Sequence, residues 1–304
     1  NHLGELWSIF RIVSPGLLGS QERFRKRFAI AIERDRSLKK RKELAQTLRP
    51  FLLRRTKGEV ARELPERTEI VTSVELTPDE RLLYEATRQA VLSDVAADLD
   101  GAPQDRRFRV LAGLTRLRLL ACHPKLVDEH SEVSSSKLQA VLRTIDDLRD
   151  NGHRALVFSQ FVKHLDLVDA ALTAAGVSAL RLDGSTPAKE RERRVDAFQA
   201  GASPVFLLSL KAGGAGLNLT AADYVLHLDP WWNPAVEDQA TGRAHRIGQT
   251  QPVTVYRFVA RGTIEEQMLA LHSEKRDLVD SVLEGADAAG KLSVDELLAL
   301  VRGA

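Results

Sequence analysis

The chain has 304 residues, of which 43% are hydrophobic and 28% charged, and its formal net charge is +2. That apolar share excludes a globally disordered chain, and the length supports one or two cored domains. No run of roughly 18 apolar residues offers a membrane span. The single Cys rules out an internal disulfide and suits a reducing, intracellular setting. The single Met is Met268, and the opening NHLGELWSIF is neither a signal peptide nor a tidy domain start, so a processed or excised piece of a longer product is expected.

Taken in chain order, residues 1 to about 130 read as mostly helical. Residues 21–60 hold 14 Lys and Arg against 5 Asp and Glu, so a bland net charge hides a strongly basic segment. Thr77, Pro78 and Glu80 form a helix-start signature, with Thr77 as N-cap and Glu80 closing a capping box. Leu82, Leu83, Ala86, Ala90 and Val91 then recur at helical spacing. A second helical run covers 108–121. The stretches 98–104 and 130–136 read as loops, the latter as a boundary.

After 136 the pattern changes. Short apolar runs at 155–161, 179–182, 205–210, 224–228 and 253–259 alternate with amphipathic stretches at 162–175, 187–200 and 234–245. Strands alternating with helices predict an α/β fold with a parallel sheet covered on both faces, and ligands at the carboxyl ends of its strands. A helix is expected from 263 to about 283, with no evident chemistry of its own, and a last short one near 293–302.

Three motifs fall at those strand ends. In QATGRAHRIGQ (239–249), Gln239, Arg243 and Arg246 stand at i, i+4 and i+7, which on a helix is one face. Two adjacent guanidiniums repel unless an anion lies between them, and a polyphosphate suits the planar fork of Arg. In LSLKAGGAGLNLT (208–220), Gly213, Gly214 and Gly216 allow positive φ and close backbone approach to a ligand. In DPWWNP (229–234), Asn233 and Pro234 cap and start the helix leading to the arginines. Cys122-His123 lacks a second pair at zinc-ligand spacing, so no metal site is expected. Trp231 and Trp232 have the chemistry to stack on bases, yet at least one is expected to pack in the interior.

Together with LRPFLLRRTKGEVARELPERTE (48–69), LRLLACHPKLV (117–127), ALVFSQF (155–161) and LDGST (182–186), these motifs resemble, in order, the C-terminal half of a SWI/SNF-type (Snf-two-like) DNA-dependent ATPase of helicase superfamily two. The resemblance implies a RecA-like second helicase lobe with a central parallel sheet flanked by helices, preceded by a mostly helical N-terminal region. On that reading 1–75 is a remnant of a first lobe with a helical protrusion and junction. Residues 76–135 are a protrusion of the second lobe, 136–285 that lobe itself, and 286–304 a C-terminal helix. ATP would lie between two lobes, with Arg243 and Arg246 as arginine fingers and Gln239, Gly214 and Gly216 lining the cleft. Double-stranded DNA would run past Ser159, Gln160, the Gly184-Ser185-Thr186 turn, Ser209 and Lys211. Arg54, Arg55 and Lys57 of the basic junction would join that track, and Thr186 would also cap the helix after Pro187.

The sequence holds no GxxxxGK followed by Ser or Thr, so ATP and Mg²⁺ would be held mainly by the absent first lobe, and these residues alone would not hydrolyse ATP. The partners implied are double-stranded DNA, that lobe and a DNA-bound protein complex, and not a membrane. The alternatives are a strand-separating helicase of the same superfamily and a non-motor DNA- or protein-binding module. Arg outnumbers Lys 32 to 12, which fits a GC-rich bacterial genome and a nucleoid-associated place in the cytoplasm; a eukaryotic source would make it nuclear. The first 60 or so residues, without their own sheet, are expected to be disordered or repacked.

Overall fold

In this computed structural model, residues 3–34, 37–52, 61, 63–96, 103–211, 216–279 and 294–303 are described. The chain divides into two compact units, Asn1–Arg62 with Ser273–Gly290, and Glu63–His272 with Lys291–Ala304.

The larger unit is built on six parallel strands: β1 (Arg67–Val74), β2 (Ala155–Ser159), β3 (Ala179–Leu182), β4 (Val205–Ser209), β5 (Tyr224–His227) and β6 (Val253–Ala260), in the order β1-β6-β5-β2-β4-β3. The five apolar runs become strands. Residues 67–74, where the sequence pattern suggests no strand, become the edge strand β1, paired with β6 from Arg67↔Val253 to Val74↔Ala260. An edge strand keeps one side of its backbone unpaired and most of its side chains in water, so it lacks the apolar run that marks its buried neighbours.

Alternation divides the core. Ala155, Val157, Val205, Leu207, Leu226 and Leu228 point to one face, where they meet Val141, Ile145 and Leu148 of α6 (Ser136–Asp150) and Leu165, Val168 and Leu172 of α7 (Val162–Ala174). Leu156, Phe158, Phe206, Leu208 and Val225 point to the other, against Phe198 of α8 (Ala188–Gln199) and Ala240 of α9 (Pro234–Thr241). The RecA-like arrangement expected of the sequence, a parallel sheet between helical layers, is what these residues build.

Two long helices, α4 (Pro78–Ala96) and α5 (Pro103–Cys122), pack on each other and on α11 (Val294–Arg302). The capping box at the start of α4 is present. Glu80 Oε2 accepts from Thr77 N at 2.9 Å, and Thr77 Oγ1 accepts from Glu80 N at 3.3 Å. Glu80 also accepts from Ser136 N at 2.9 Å, so one carboxylate satisfies the starts of two helices. Gly113 is required by contact: a Cβ there would lie 2.3 Å from Val91 Cγ1. α10 (Ile264–Val279) follows β6, and Tyr84 Oη accepts from Ile264 N at 2.9 Å.

Of the two expectations for the first 60 or so residues, disorder or repacking, the described residues of the smaller unit show packing. α1 (Leu3–Val13), α2 (Gln21–Phe24), a π-helical stretch (Arg25–Arg34) and α3 (Leu38–Leu48) bury Trp7, Phe10, Phe24, Phe28, Leu44 and Leu48 together. Trp7 Nε1 donates to Gly19 O at 3.0 Å. Helices alone enclose this cluster, so no sheet is needed to remove the rings from water. No helix of the described residues is long and apolar enough to cross a membrane.

Candidate nucleotide and nucleic-acid site

The loops after β2, β3, β4 and β5 all leave the same edge of the parallel sheet, and the motif residues sit on them. The arginine motif differs from its one-face helical expectation. α9 ends at Thr241, with Gly242 as its C-cap, and the residues up to Gly248 run in turns. Two glycines six residues apart, Gly242 and Gly248, disfavour helix, and long-range bonds hold the alternative. Arg243 O accepts from Leu219 N at 3.1 Å. Gln249 Nε2 donates to Thr220 O, Ala222 O and Ala244 O at 3.1, 2.8 and 3.2 Å. His245 Nε2 donates to Pro65 O at 2.8 Å.

Within this arginine loop, Arg243 is only 6% exposed. Its Cζ lies 5.6 Å from the centre of the Phe158 ring, and its buried Nη1 has no hydrogen-bond partner. Among the described residues no carboxylate is paired with it; its electrostatic neighbours are the guanidiniums of Arg191 and Arg246. Burial, then those two charges, draw its pKa down to about 10, which leaves it charged at neutral pH. Arg246 is half-buried and donates from Nη1 to Leu217 O at 3.0 Å. Gln239 is exposed on α9. Gly216 is exposed with φ +106° and nothing within 4 Å of its Cβ position, so this turn lies open on the side-chain side. Gly213 and Gly214 lie outside the described residues.

The expected DNA-track residues separate by exposure. Gly184, Ser185 and Lys211 are exposed, at the ends of β3 and β4. Ser159 and Ser209 are buried, at 0% and 3%. Ser159 Oγ donates to Asp229 Oδ2 and accepts from Phe161 N at 3.0 Å, and Gln160 N donates to Asp229 Oδ1 at 3.2 Å. Ser159 therefore shapes the loop while Gln160 is half-buried at its turn. Thr186 is not the helix cap: Pro187 holds that position, and Thr186 Oγ1 accepts instead from Asp183 N at 3.1 Å. Arg54, Arg55 and Lys57 lie outside the described residues. Asn233 caps α9 as expected, with Oδ1 accepting from Ala235 N at 3.0 Å.

Several polar residues at the site's base have roles that the sequence motifs do not announce. Asp229, 2% exposed, stays ionised below its usual range because His164, Ser159 and Arg118 outweigh the cost of burial. Lys137 and Glu265 are fully buried partners, with Nζ 2.6 and 2.5 Å from the two carboxylate oxygens. Glu237, fully buried, accepts from Trp231 N at 2.7 Å and Arg257 Nε at 3.0 Å. Cys122, His164 and Asp229 bring one sulfur, one nitrogen and one oxygen within 4.8 Å of one another, the single such convergence among the described residues. The ammonium of Lys137 acts electrostatically on all three, so this pocket already contains its cation.

His227 and His123 bear on pH. His227 Nε2 is 3.0 Å from Thr241 Oγ1 and its ring stacks on Phe158. Burial lowers both imidazoles to about 4. Each unfolds to a value near 6.5, so the unfolded chain binds the extra protons: the stability these groups lend is complete above about pH 6.5 and falls as pH drops towards 4. The expected loss at His227 is on the order of 3 kcal/mol by pH 4. Urea midpoints at pH 7 and 4.5 measure it, and His227→Gln should flatten the fall.

Residues 136–248 match the helicase conserved C-terminal domain and residues 1–126 the SNF2-related domain. The chain carries SNF2-related and helicase C-terminal domains. It is 40% identical over 305 residues to the putative ATP-dependent helicase/translocase YwqA of Bacillus subtilis, covering 98% of this chain and 33% of that protein. This SNF2-related chain is also similar to the Sulfolobus solfataricus SWI2/SNF2 ATPase core solved in complex with dsDNA. The TM-score there is 0.65 and the identity 32%, over 99% of this chain and 64% of that one. It is 34% identical to the mouse SWI/SNF-related matrix-associated actin-dependent regulator of chromatin subfamily A member 1, over 99% of this chain and 30% of that protein. The chain spans about a third of the length of the curated relatives it matches.

Proposed function

We propose that this chain carries the arginine-finger and DNA-track half of an ATP-dependent double-stranded DNA translocase. The observation that carries the reading is Arg243, a buried and charged guanidinium with an orphaned Nη1, no paired carboxylate among the described residues, and Arg191 and Arg246 as electrostatic neighbours. Burying such a charge unpaired is costly unless an anion completes the site. A triphosphate fits, since three guanidiniums in one region offer planar forks to its oxygens. On this reading Mg²⁺ is held by a first RecA-like lobe. Arg243 and Arg246 neutralise charge that develops on the phosphoryl group in transfer. Gly184, Ser185, Gln160 and Lys211, at neighbouring strand ends, offer amides, hydroxyl and ammonium to a phosphate backbone without reading sequence. The likeness to a core solved with dsDNA supports duplex as the polymer.

The test uses the 304-residue chain. Its affinity for duplex should fall steeply between about 50 and 200 mM salt, and it should release no phosphate from ATP with DNA present. A salt-independent affinity, or turnover that Arg246→Ala abolishes, overturns the proposal.

A further inference from the structure

Arg118 projects from α5 into the base of the site, where it is 5% exposed. Its Cζ lies 5.5 Å from the ring centre of Phe161, 5.6 Å from that of Trp231 and 5.3 Å from that of Trp232. Its Nη2 donates to Pro230 O at 2.9 Å. Three aromatic rings and a main-chain carbonyl surround this guanidinium, and Asp229, Glu237 and Glu265 act on it through space. Such a cage is orientational: each ring attracts the cation only when it presents its face, so the cation fixes all three rings at once.

Those rings belong to two different loops. Phe161 ends the loop after β2 and stands at the N-cap of α7. Pro230, Trp231 and Trp232 form the loop after β5, which runs through Asn233 and α9 into the arginine loop. β2 and β5 are neighbouring strands, and Asp229 already ties the loops at their base through Ser159 and Gln160 N. Arg118 is the second tie, reaching both from a helix outside the sheet.

We propose that Arg118 is a positioning residue that couples DNA at the β2 loop to the arginine loop, by clamping Phe161 against Pro230, Trp231 and Trp232. A shift of the Gln160–Phe161 turn on DNA is passed through the shared cation to the start of α9, and so to Arg243 and Arg246. A residue that only filled space would not need a charge, and one that only balanced charge would not need three rings. The inference rests on the function proposed above.

The test is made on the full-length gene product, with Arg118→Met keeping bulk and removing charge, and Arg118→Lys keeping charge and losing the planar fork. Arg118→Met should lower DNA-stimulated kcat about tenfold or more while DNA-free hydrolysis and the KM for ATP stay within about twofold. Arg118→Lys should recover part of the stimulation, and the emission of Trp231 and Trp232 should shift in Met and return towards the parent in Lys. Equal losses with and without DNA, or full stimulation in Arg118→Met, overturn the inference. If Arg118→Met does not fold, Arg118→Lys decides: reduced stimulation with unchanged DNA-free hydrolysis supports the coupling, and unchanged stimulation overturns it. Arg243→Ala, run beside them, separates the two levels, because hydrolysis insensitive to Arg243 would sink the underlying function rather than the clamp.

Discussion

Arg243→Ala in the full-length gene product is expected to lower DNA-stimulated ATP hydrolysis by about 10³-fold or more, the lower end of what an arginine finger contributes elsewhere. The expectation follows from where the side chain sits. Arg243 is buried against Phe158, keeps its charge at neutral pH despite burial, and has one guanidinium nitrogen without a partner. On the proposed reading, its interaction energy is held for a group that arrives with ATP. A charge that acts on the transferring phosphoryl group stabilises the transition state more than the bound substrate, so kcat should fall far more than ATP affinity. Arg243→Lys should not restore the rate, because an ammonium cannot present two parallel donors. Phosphate release by the purified proteins, with melting curves to establish folding, is the measurement. A loss smaller than about tenfold in a folded variant would remove Arg243 from the reaction.

Glu265→Ala is expected to be among the most destabilising single substitutions in the larger unit. Lys137 is fully buried and bound by both carboxylate oxygens of Glu265, which also accepts from Ala260 N at 2.8 Å. Burial opposes the charge on each group, and the partner holds the lysine protonated nonetheless. Removing the carboxylate leaves a buried ammonium without its directly bound partner, at a cost of about 3–5 kcal/mol. A melting temperature lower by roughly 10 °C is the corresponding expectation for a unit of this size. Lys137→Met with Glu265→Leu removes both charges and should regain much of the loss, since the desolvation penalty goes with them. Chemical denaturation of the 304-residue chain measures all three, and a double variant no better than Glu265→Ala would show that the pair contributes more than mutual neutralisation.

The central strands were legible because each is a short apolar run bounded by turn residues and alternating with helical stretches, and β2 and β4 are buried along their whole length, as strands covered on both faces are. The start of α4 was legible because the capping box is local, closed within four residues. β1 was not, because an edge strand is recognised by its partner rather than by its own hydrophobicity. The spacing of Gln239, Arg243 and Arg246 suggested one helical face, and the chain instead turns at Gly242. Which of helix or turn prevails there is decided by Gln249, Leu219 and Pro65, the last nearly two hundred residues away. The pair rule that set aside Cys122-His123 had no means of finding Cys122 beside His164 and Asp229.

The α/β class, the parallel sheet, the order of the motifs and the family they resemble all reside in the sequence, because periodicity, caps and motif spacing are properties of neighbouring residues. The state of each functional side chain does not. Arg243 becomes a poised charge because it is buried without an acid. Ser159 turns inward because Asp229 waits beneath it. Arg118 finds its rings on the loops after two neighbouring strands, and Lys137 finds Glu265 across 128 residues of chain. Desolvation and charge pairing act through distance in space, and only the folded chain sets that distance.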